Sequence, residues 1–250
     1  MIVFSAVGYD VEASRDKAQL LALKLNYTLE KDANVCLFVS ADKLALKMCQ
    51  FSLLSADFTA STWQKRKAEG KKQGLIRACK PTRGLKIIDA TAGWGRDAAI
   101  LASFGAEVLM IERHPAMAAL LDDALLHQSE KDKQLMHLSL FAGDTLSFLS
   151  QLRDADCPDV IYIDPMHPER TKSALVKKDM QALQQIIGAD DDALALIKCA
   201  ITKAKQKVVV KWPQKIKSLL AANASIEGKT VRFDIYTARG LSITSSRLAE

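Results

Sequence analysis

Apolar and polar positions follow two different rhythms along this chain, and the change between them falls near residue 85. Before that point the apolar runs are short and unevenly spaced. Residues 2–7 and 35–39 predict strands, 13–25 carries Ala18, Leu21, Ala22 and Leu25 at helical spacing, and 44–49 with 51–58 predict further strands or a hairpin. Together they describe a small α+β unit over 1–60. From Leu85 onward strand-like and helix-like runs alternate. Strands are predicted at 85–89, 107–111, 135–141, 160–163 and 207–211, helices at 96–104, 115–127, 145–152, 171–187 and 190–205, and a late strand at 232–238. Such alternation builds a doubly wound, mostly parallel α/β sheet over 85–250, whose ligands sit at the carboxyl ends of the strands.

The first of those strand ends reads Asp89-Ala90-Thr91-Ala92-Gly93-Trp94-Gly95-Arg96-Asp97. An apolar run ending in an acid, then a turn with two glycines, then an apolar-periodic segment is a strand, a tight turn and a helix N-terminus. Gly93 and Gly95 permit positive φ and lack a Cβ, so a ligand can lie against the backbone where helix amides point outward. The spacing Gly93-x-Gly95-x-x-Ala98, with Glu112 seventeen residues after Gly95, also satisfies the dinucleotide pattern. The turn by itself therefore leaves a nicotinamide, a flavin and S-adenosylmethionine open.

Composition narrows the class. Of 250 residues 49% are hydrophobic, enough for a large buried core. Residues 1–7 lack the cationic start and the length of a signal peptide, and no run approaches the roughly 18 apolar residues that span a bilayer. A cytoplasmic protein without membrane partners is expected. Cys36, Cys49, Cys79, Cys157 and Cys199 are odd in number, widely spaced and without a CxxC pair, which speaks against a disulfide framework and a zinc site. His114, His127, His137 and His167 show no metal spacing either, so no metal is expected.

Charge is concentrated. The chain carries +6, yet the segment from Trp63 to Arg83, with Lys65, Arg66, Lys67, Lys71, Lys72, Arg77, Lys80 and Arg83 against Glu69, carries +7 on its own. Several cations in one segment suit a phosphate backbone, with a solvated cationic linker as the plain alternative. The segment 61–84 is expected to be a connector ending in a short helix over 74–80, with Trp63 exposed to stack on a base.

Acids recur where the alternating half predicts its strand ends: Asp89, Glu112, Asp144 and Asp164. Each alone could cap a helix. Together they outline a cofactor pocket in which 93–97 wraps an amino-acid end, Glu112 accepts from ribose hydroxyls and Asp144 accepts from an adenine amino group. The discriminating stretch is Asp164-Pro165-Met166-His167-Pro168, which resembles the Asn/Asp-Pro-Pro-aromatic tetrapeptide of enzymes that methylate exocyclic amines of bases. Such a nitrogen is a poor nucleophile because its lone pair is delocalised into the ring. A carboxylate at Asp164 and the Pro165 carbonyl can hold both N–H groups and favour tetrahedral character, and His167 can support the base. Lys211 could reach this site from the fifth strand end or simply snorkel. Lys177 and Lys178 suit phosphate contacts or a solvated helix face.

Taken together, Asp89–Asp97, Ile111-Glu112-Arg113, Leu120-Leu-Asp-Asp123, Tyr162-Ile-Asp-Pro-Met166, Lys172-Ser-Ala-Leu-Val-Lys-Lys178, Val208-Val-Val-Lys211 and Arg232-Phe-Asp-Ile-Tyr236 resemble the ribosomal RNA small-subunit methyltransferase J family, collinearly from about residue 85 to 238. The resemblance implies a class I, Rossmann-like methyltransferase sheet with a late antiparallel strand. It implies methyl transfer from S-adenosylmethionine to the N2 amine of one guanine in 16S ribosomal RNA, as naked RNA or in the 30S particle. It also implies a cofactor pocket of Arg96, Asp97, Glu112, Arg113, Gly143, Asp144 and Asp164. His167 stands where the family usually has Phe, and Gly143-Asp144 where it commonly has two small hydroxyl residues. An adenine-N6 or small-molecule methyltransferase, or a non-catalytic RNA-binding assembly factor, are the competing functions.

Overall fold

The computed structural model describes residues 5–48, 51–166 and 192–238. The N-terminal part contains β1 (Ala6–Tyr9), α1 (Arg15–Leu25), β2 (Thr28–Leu29), β3 (Cys36–Val39), β4 (Leu44–Met48) and β5 (Phe51–Leu54). These strands form one sheet in the order β2-β1-β3-β4-β5, parallel around β1 and antiparallel from β3 to β5. Of the strand expected at 2–7, residues 2–4 lie outside the described residues and 6–7 fall in β1, which runs on to Tyr9; there Gly8 approaches β3 closely enough that a Cβ would sit 2.9 Å from the Cys36 sulfur. α1 buries Ala18 and Ala22, with Leu21 and Leu25 half-buried, on the face expected.

The segment expected to be a connector is helical. Helix α2 (Ala60–Glu69) is followed by a 3-10 turn at Gly70–Lys72 and by α3 (Gly74–Cys79), which buries Leu75 and Ile76. Lysine and arginine are good helix formers, and the N-terminus of α2 is tied down from two sides. Asp57 accepts from the Thr59 amide and the Thr62 hydroxyl, and Asp132 accepts from the Ala60 amide at 2.9 Å. Trp63 is buried, and its indole N–H donates to the Asp57 carbonyl at 3.0 Å. It is a core residue here, not an exposed stacking platform, because the helix turns it onto the main core beside Phe58 and Leu75.

The second half follows the expected alternation: β6 (Lys86–Asp89), α4 (Arg96–Ser103), β7 (Glu107–Glu112), α5 (Pro115–Leu126), α6 (Glu130–Leu135), β8 (His137–Ala142), α7 (Thr145–Gln151), β9 (Val160–Ile163), α8 (Ala193–Lys203), β10 (Lys207–Pro213), β11 (Ala224–Glu227) and β12 (Val231–Thr237). Two short elements, α6 and β11, were not expected. The helix expected at 171–187 lies outside the described residues. The seven strands are ordered β11-β12-β10-β9-β6-β7-β8, with β12 antiparallel to its neighbours and the run from β10 to β8 parallel. Strand order reverses between β6 and β9, where ligands of such sheets bind.

Period two gives each face its own core. Ile87, Val160, Tyr162, Val209 and Phe233 pack with α4 in one cluster, while Ile88, Ile161, Ile163, Val208, Val210 and Trp212 pack with α8 in another. A third cluster joins the two sheets, bringing Val7, Leu37 and Leu46 against Trp94, Met117 and Leu120. Asp123 of α5 fixes that seam, accepting from the Leu44 amide at 2.8 Å. No helix among the described residues is long and apolar enough to cross a membrane.

Candidate active site

Register decides which side chains meet at the switch point. Asp89 lies opposite Tyr162, and Tyr162 opposite Val209, so Asp89, Tyr162, Asp164 and Lys211 all fall on the sheet face that α4 covers. The first turn of α4 adds Asp97. The ammonium of Lys211 lies 2.6 Å from Asp164 Oδ2 and 3.1 Å from Asp97 Oδ2, and the Tyr162 hydroxyl donates to Asp97 Oδ2 at 2.7 Å. The Asp164 amide donates to Thr91 Oγ1 at 2.7 Å, which anchors the end of β9 to the glycine turn. Of the two sequence-based alternatives for Lys211, reaching the site is the one observed.

The electrostatics follow from burial. Asp89 is 1% exposed, and burial together with the charge of Asp97 pushes its carboxyl up to about 8, against the opposing Thr91 amide. Burial alone would lower the Lys211 ammonium, but the charges of Asp164 and Asp97 outweigh it and hold lysine protonated far above its ordinary range. Burial and Asp97 likewise keep the Tyr162 phenol neutral.

The glycine turn packs against the core. Gly93 and Gly95 have φ of 53° and 67°, as a turn of this type needs. A Cβ on Gly95 would lie 2.6 Å from the Phe58 ring and 3.0 Å from Leu121, so its missing side chain lets the core close on that side of the turn. Glu112 is buried and uses both oxygens on backbone: Oε2 accepts from the Gly93 amide and Oε1 from the His114 amide, each at 2.8 Å. The Gly143 amide donates to the Glu112 carbonyl at 2.9 Å, which sets Gly143-Asp144 beside it. Asp144 caps α7 through the Ser147 amide at 2.8 Å, and that hydrogen bond holds its carboxyl below the ordinary value. Burial lowers the pKa of His114, whose Nδ1 is buried without a hydrogen-bond partner.

The other expected positions are more dispersed. Arg113 is exposed and pairs with Asp192 at 3.0 Å, and Arg96 is half-buried at the start of α4. In the basic segment Lys67, Lys72 and Arg77 are exposed, Lys65 and Arg66 lie on α2, and Lys71 lies in the 3-10 turn. Pro165 follows Asp164 with its ring buried, whereas His167, Lys177 and Lys178 lie outside the described residues. Sequence reasoning did not single out Thr91 or Tyr162 as site residues. For Tyr162 the signal was a polar tip two positions before Asp164, on the same face of one strand. No group of three or more His, Cys, Asp or Glu residues among those described could hold a metal ion.

Comparison with known proteins gives the family. The family model "Putative SAM-dependent methyltransferase" matches residues 20–238. A ribosomal RNA small subunit methyltransferase J from Legionella pneumophila (strain Paris) is 65% identical over 92% of this chain and 95% of its own length. One from Nitrosococcus oceani is 40% identical, covering 93% and 98%. The crystal structure of a SAM-dependent methyltransferase from Neisseria gonorrhoeae matches with a TM-score of 0.70 at 28% identity, covering 94% of this chain and 97% of that one. With its switch-point acids, its glycine turn and its 3-2-1-4-5-7-6 type strand order, the chain is an S-adenosylmethionine-dependent methyltransferase and belongs to the ribosomal RNA small subunit methyltransferase J family.

Proposed function

We propose that this protein methylates the N2 amine of a guanine in 16S small-subunit ribosomal RNA, with Asp164 and the Pro165 carbonyl as the groups that receive the amine. The observation carrying this reading is the end of β9. There Asp164 is fixed at its amide by Thr91 and at its carboxylate by Lys211, at the switch point of the sheet. The names of the Legionella and Nitrosococcus relatives support small-subunit ribosomal RNA as the substrate, and the Asp-Pro stretch supports an exocyclic amine.

The residues fit the methyl donor. Asp97 and Asp164 set two carboxyl groups at the switch point, acceptors that suit a ligand bearing a sulfonium and an ammonium. The orphan His114 Nδ1 beside Glu112 offers a further polar contact. In this reading Asp89, the 93–97 turn with Gly93, Gly95, Arg96 and Asp97, Glu112, Arg113, Gly143, Asp144 and Asp164 line the donor pocket. Bound S-adenosylmethionine supplies an electrophilic methyl group. Asp164 and Pro165 hold the acceptor amine by its N–H groups and raise the density on nitrogen. The nitrogen forms the new N–C bond as the donor C–S bond breaks, its electron pair staying on sulfur, and the proton shed by nitrogen passes to Asp164 or water. His167 supports the base. Residues 85–250 act as the catalytic unit, 61–84 with Lys65, Arg66, Lys67, Lys71, Lys72 and Arg77 grips the RNA backbone, as Lys177 and Lys178 do, and 1–60 forms the small unit seated on α5.

The test is transfer of labelled methyl from S-adenosylmethionine to small-subunit RNA and to 30S particles from cells lacking the gene, followed by nucleoside analysis. N2-methylguanosine is expected. N6-methyladenosine, or no incorporation while the donor still binds, overturns the assignment.

A further inference from the structure

The proposed chemistry gives the charge of Lys211 no step of its own. Lys211 lies on β10 two residues after the fully buried Val209, so strand alternation puts it, half-buried, on the face of the acids. The titratable groups that face Asp164 are Asp97 from α4, which shares the Lys211 ammonium, Asp89 from β6 and the Tyr162 phenol from its own strand, with the buried Cys79 thiol of α3 beyond Asp89 and Asp97. Burial, and next to it a neighbouring carboxylate, pushes a carboxyl to protonate, as at Asp89. A protonated Asp164 would present an O–H donor where an acceptor is needed, since only the carboxylate is acceptor on both oxygens.

Resting on the function proposed above, we propose that Lys211 is a positioning residue for the methyl acceptor: from the end of β10 its ammonium fixes the orientation of Asp164 and keeps that carboxylate charged, so that it receives the amine N–H. Lys211 touches Asp164 at Oδ2 and braces the same ammonium against Asp97 of α4, which ties β9, β10 and α4 together at the reacting end. It acts through Asp164 and makes no contact of its own with the acceptor.

The test compares Lys211→Met, which keeps length and loses charge, with Lys211→Arg, which keeps charge. Steady-state transfer is measured against pH, S-adenosylmethionine binding by calorimetry, and the Asp164 carboxyl by carbon-13 NMR titration. For Lys211→Met, kcat should fall by about 10- to 100-fold while KM for RNA and the donor dissociation constant change less than threefold. The acidic limb of the rate profile and the Asp164 titration should both move up by about one to three pH units. Lys211→Arg should restore the limb and most of kcat. An unchanged kcat and unmoved Asp164 titration in Lys211→Met overturns the proposal, as does equal loss in both variants with the limb in place, the mark of packing alone. Failure of the wild-type protein to make N2-methylguanosine would strike the proposed acceptor, whereas the Asp164 titration decides the role of Lys211 whatever base is methylated.

Discussion

On neighbouring strands, and on opposite faces of the same sheet, the protein builds two ionic clusters by opposite rules. Around Arg232 of β12 every charge is answered. Its guanidinium donates to Asp234 at 2.9 Å and to the carbonyls of Pro213, Gln214 and Ile216, while Asp234, 2% exposed, also accepts from Ser218 and Ser225. Around Lys211 of β10 the ammonium pairs with Asp97 and Asp164 at once, and Asp89 beside them stays protonated. The Arg232 cluster folds the 214–220 loop back onto the sheet. The crowded Lys211 cluster gathers carboxyls at a strand end, against their mutual repulsion. The difference separates a group of charges that stabilises the fold from one poised for a reaction.

Breaking the Arg232 cluster should have the largest effect. Arg232→Ala leaves Asp234 buried without its cation and strips three loop carbonyls of their donor, so unfolding free energy should fall by about 3–5 kcal/mol. Urea denaturation measures it, and a loss below about 1 kcal/mol would mean that the loop is held by other contacts. Breaking the Lys211 cluster should do the reverse. Asp164→Ala should reduce methyl transfer by about 10²- to 10³-fold, the usual loss for one pre-organised hydrogen-bonding group, with the melting temperature held or raised because an acid has left a crowded site. Unchanged transfer would remove Asp164 from the acceptor site. A third variant probes the seam between the two sheets. Asp123→Ala leaves the Leu44 amide without its acceptor, at a cost of about 1–3 kcal/mol. Transfer per folded molecule should stay at the wild-type level.

How legible these clusters were in the sequence follows from how local their causes are. β9 was visible because Val160–Ile163 is an unbroken apolar run closed by Asp164-Pro165, and the glycine turn because positive φ at Gly93 and Gly95 needs glycine. Asp97 and Asp164 were placed in one pocket, but whether Lys211 joins them or snorkels was left open, since that depends on the register of β6, β9 and β10, which no local pattern encodes. Trp63 was misjudged because its polar neighbours suggested solvent, whereas helix periodicity in α2 turns it inward. That Phe58 packs against Gly95 was not legible, because the two lie far apart in sequence. Glu112 was read as an acceptor for ribose hydroxyls, and its two backbone amides show it first bracing the turn.

The subtlest test acts on Asp89, the acid that gives up its charge. In the unfolded chain its pKa is near 3.8, and in the fold it is pushed up to about 8. Between those values the folded state binds a proton that the unfolded state lacks, so the contribution of Asp89 is fully present below about pH 4 and is lost as pH rises towards 8. Asn at this position mimics the protonated acid and keeps an oxygen for the Thr91 amide, 3.2 Å away in the wild type. Asp89→Asn and the wild type should therefore melt together near pH 4, and the variant should gain a growing advantage from pH 5 to pH 8 that levels off above it. Parallel melting curves across that range would mean that Asp89 is charged in the fold. The Lys211 cluster would then carry one more negative charge, and the contrast with the Arg232 cluster would be sharper still.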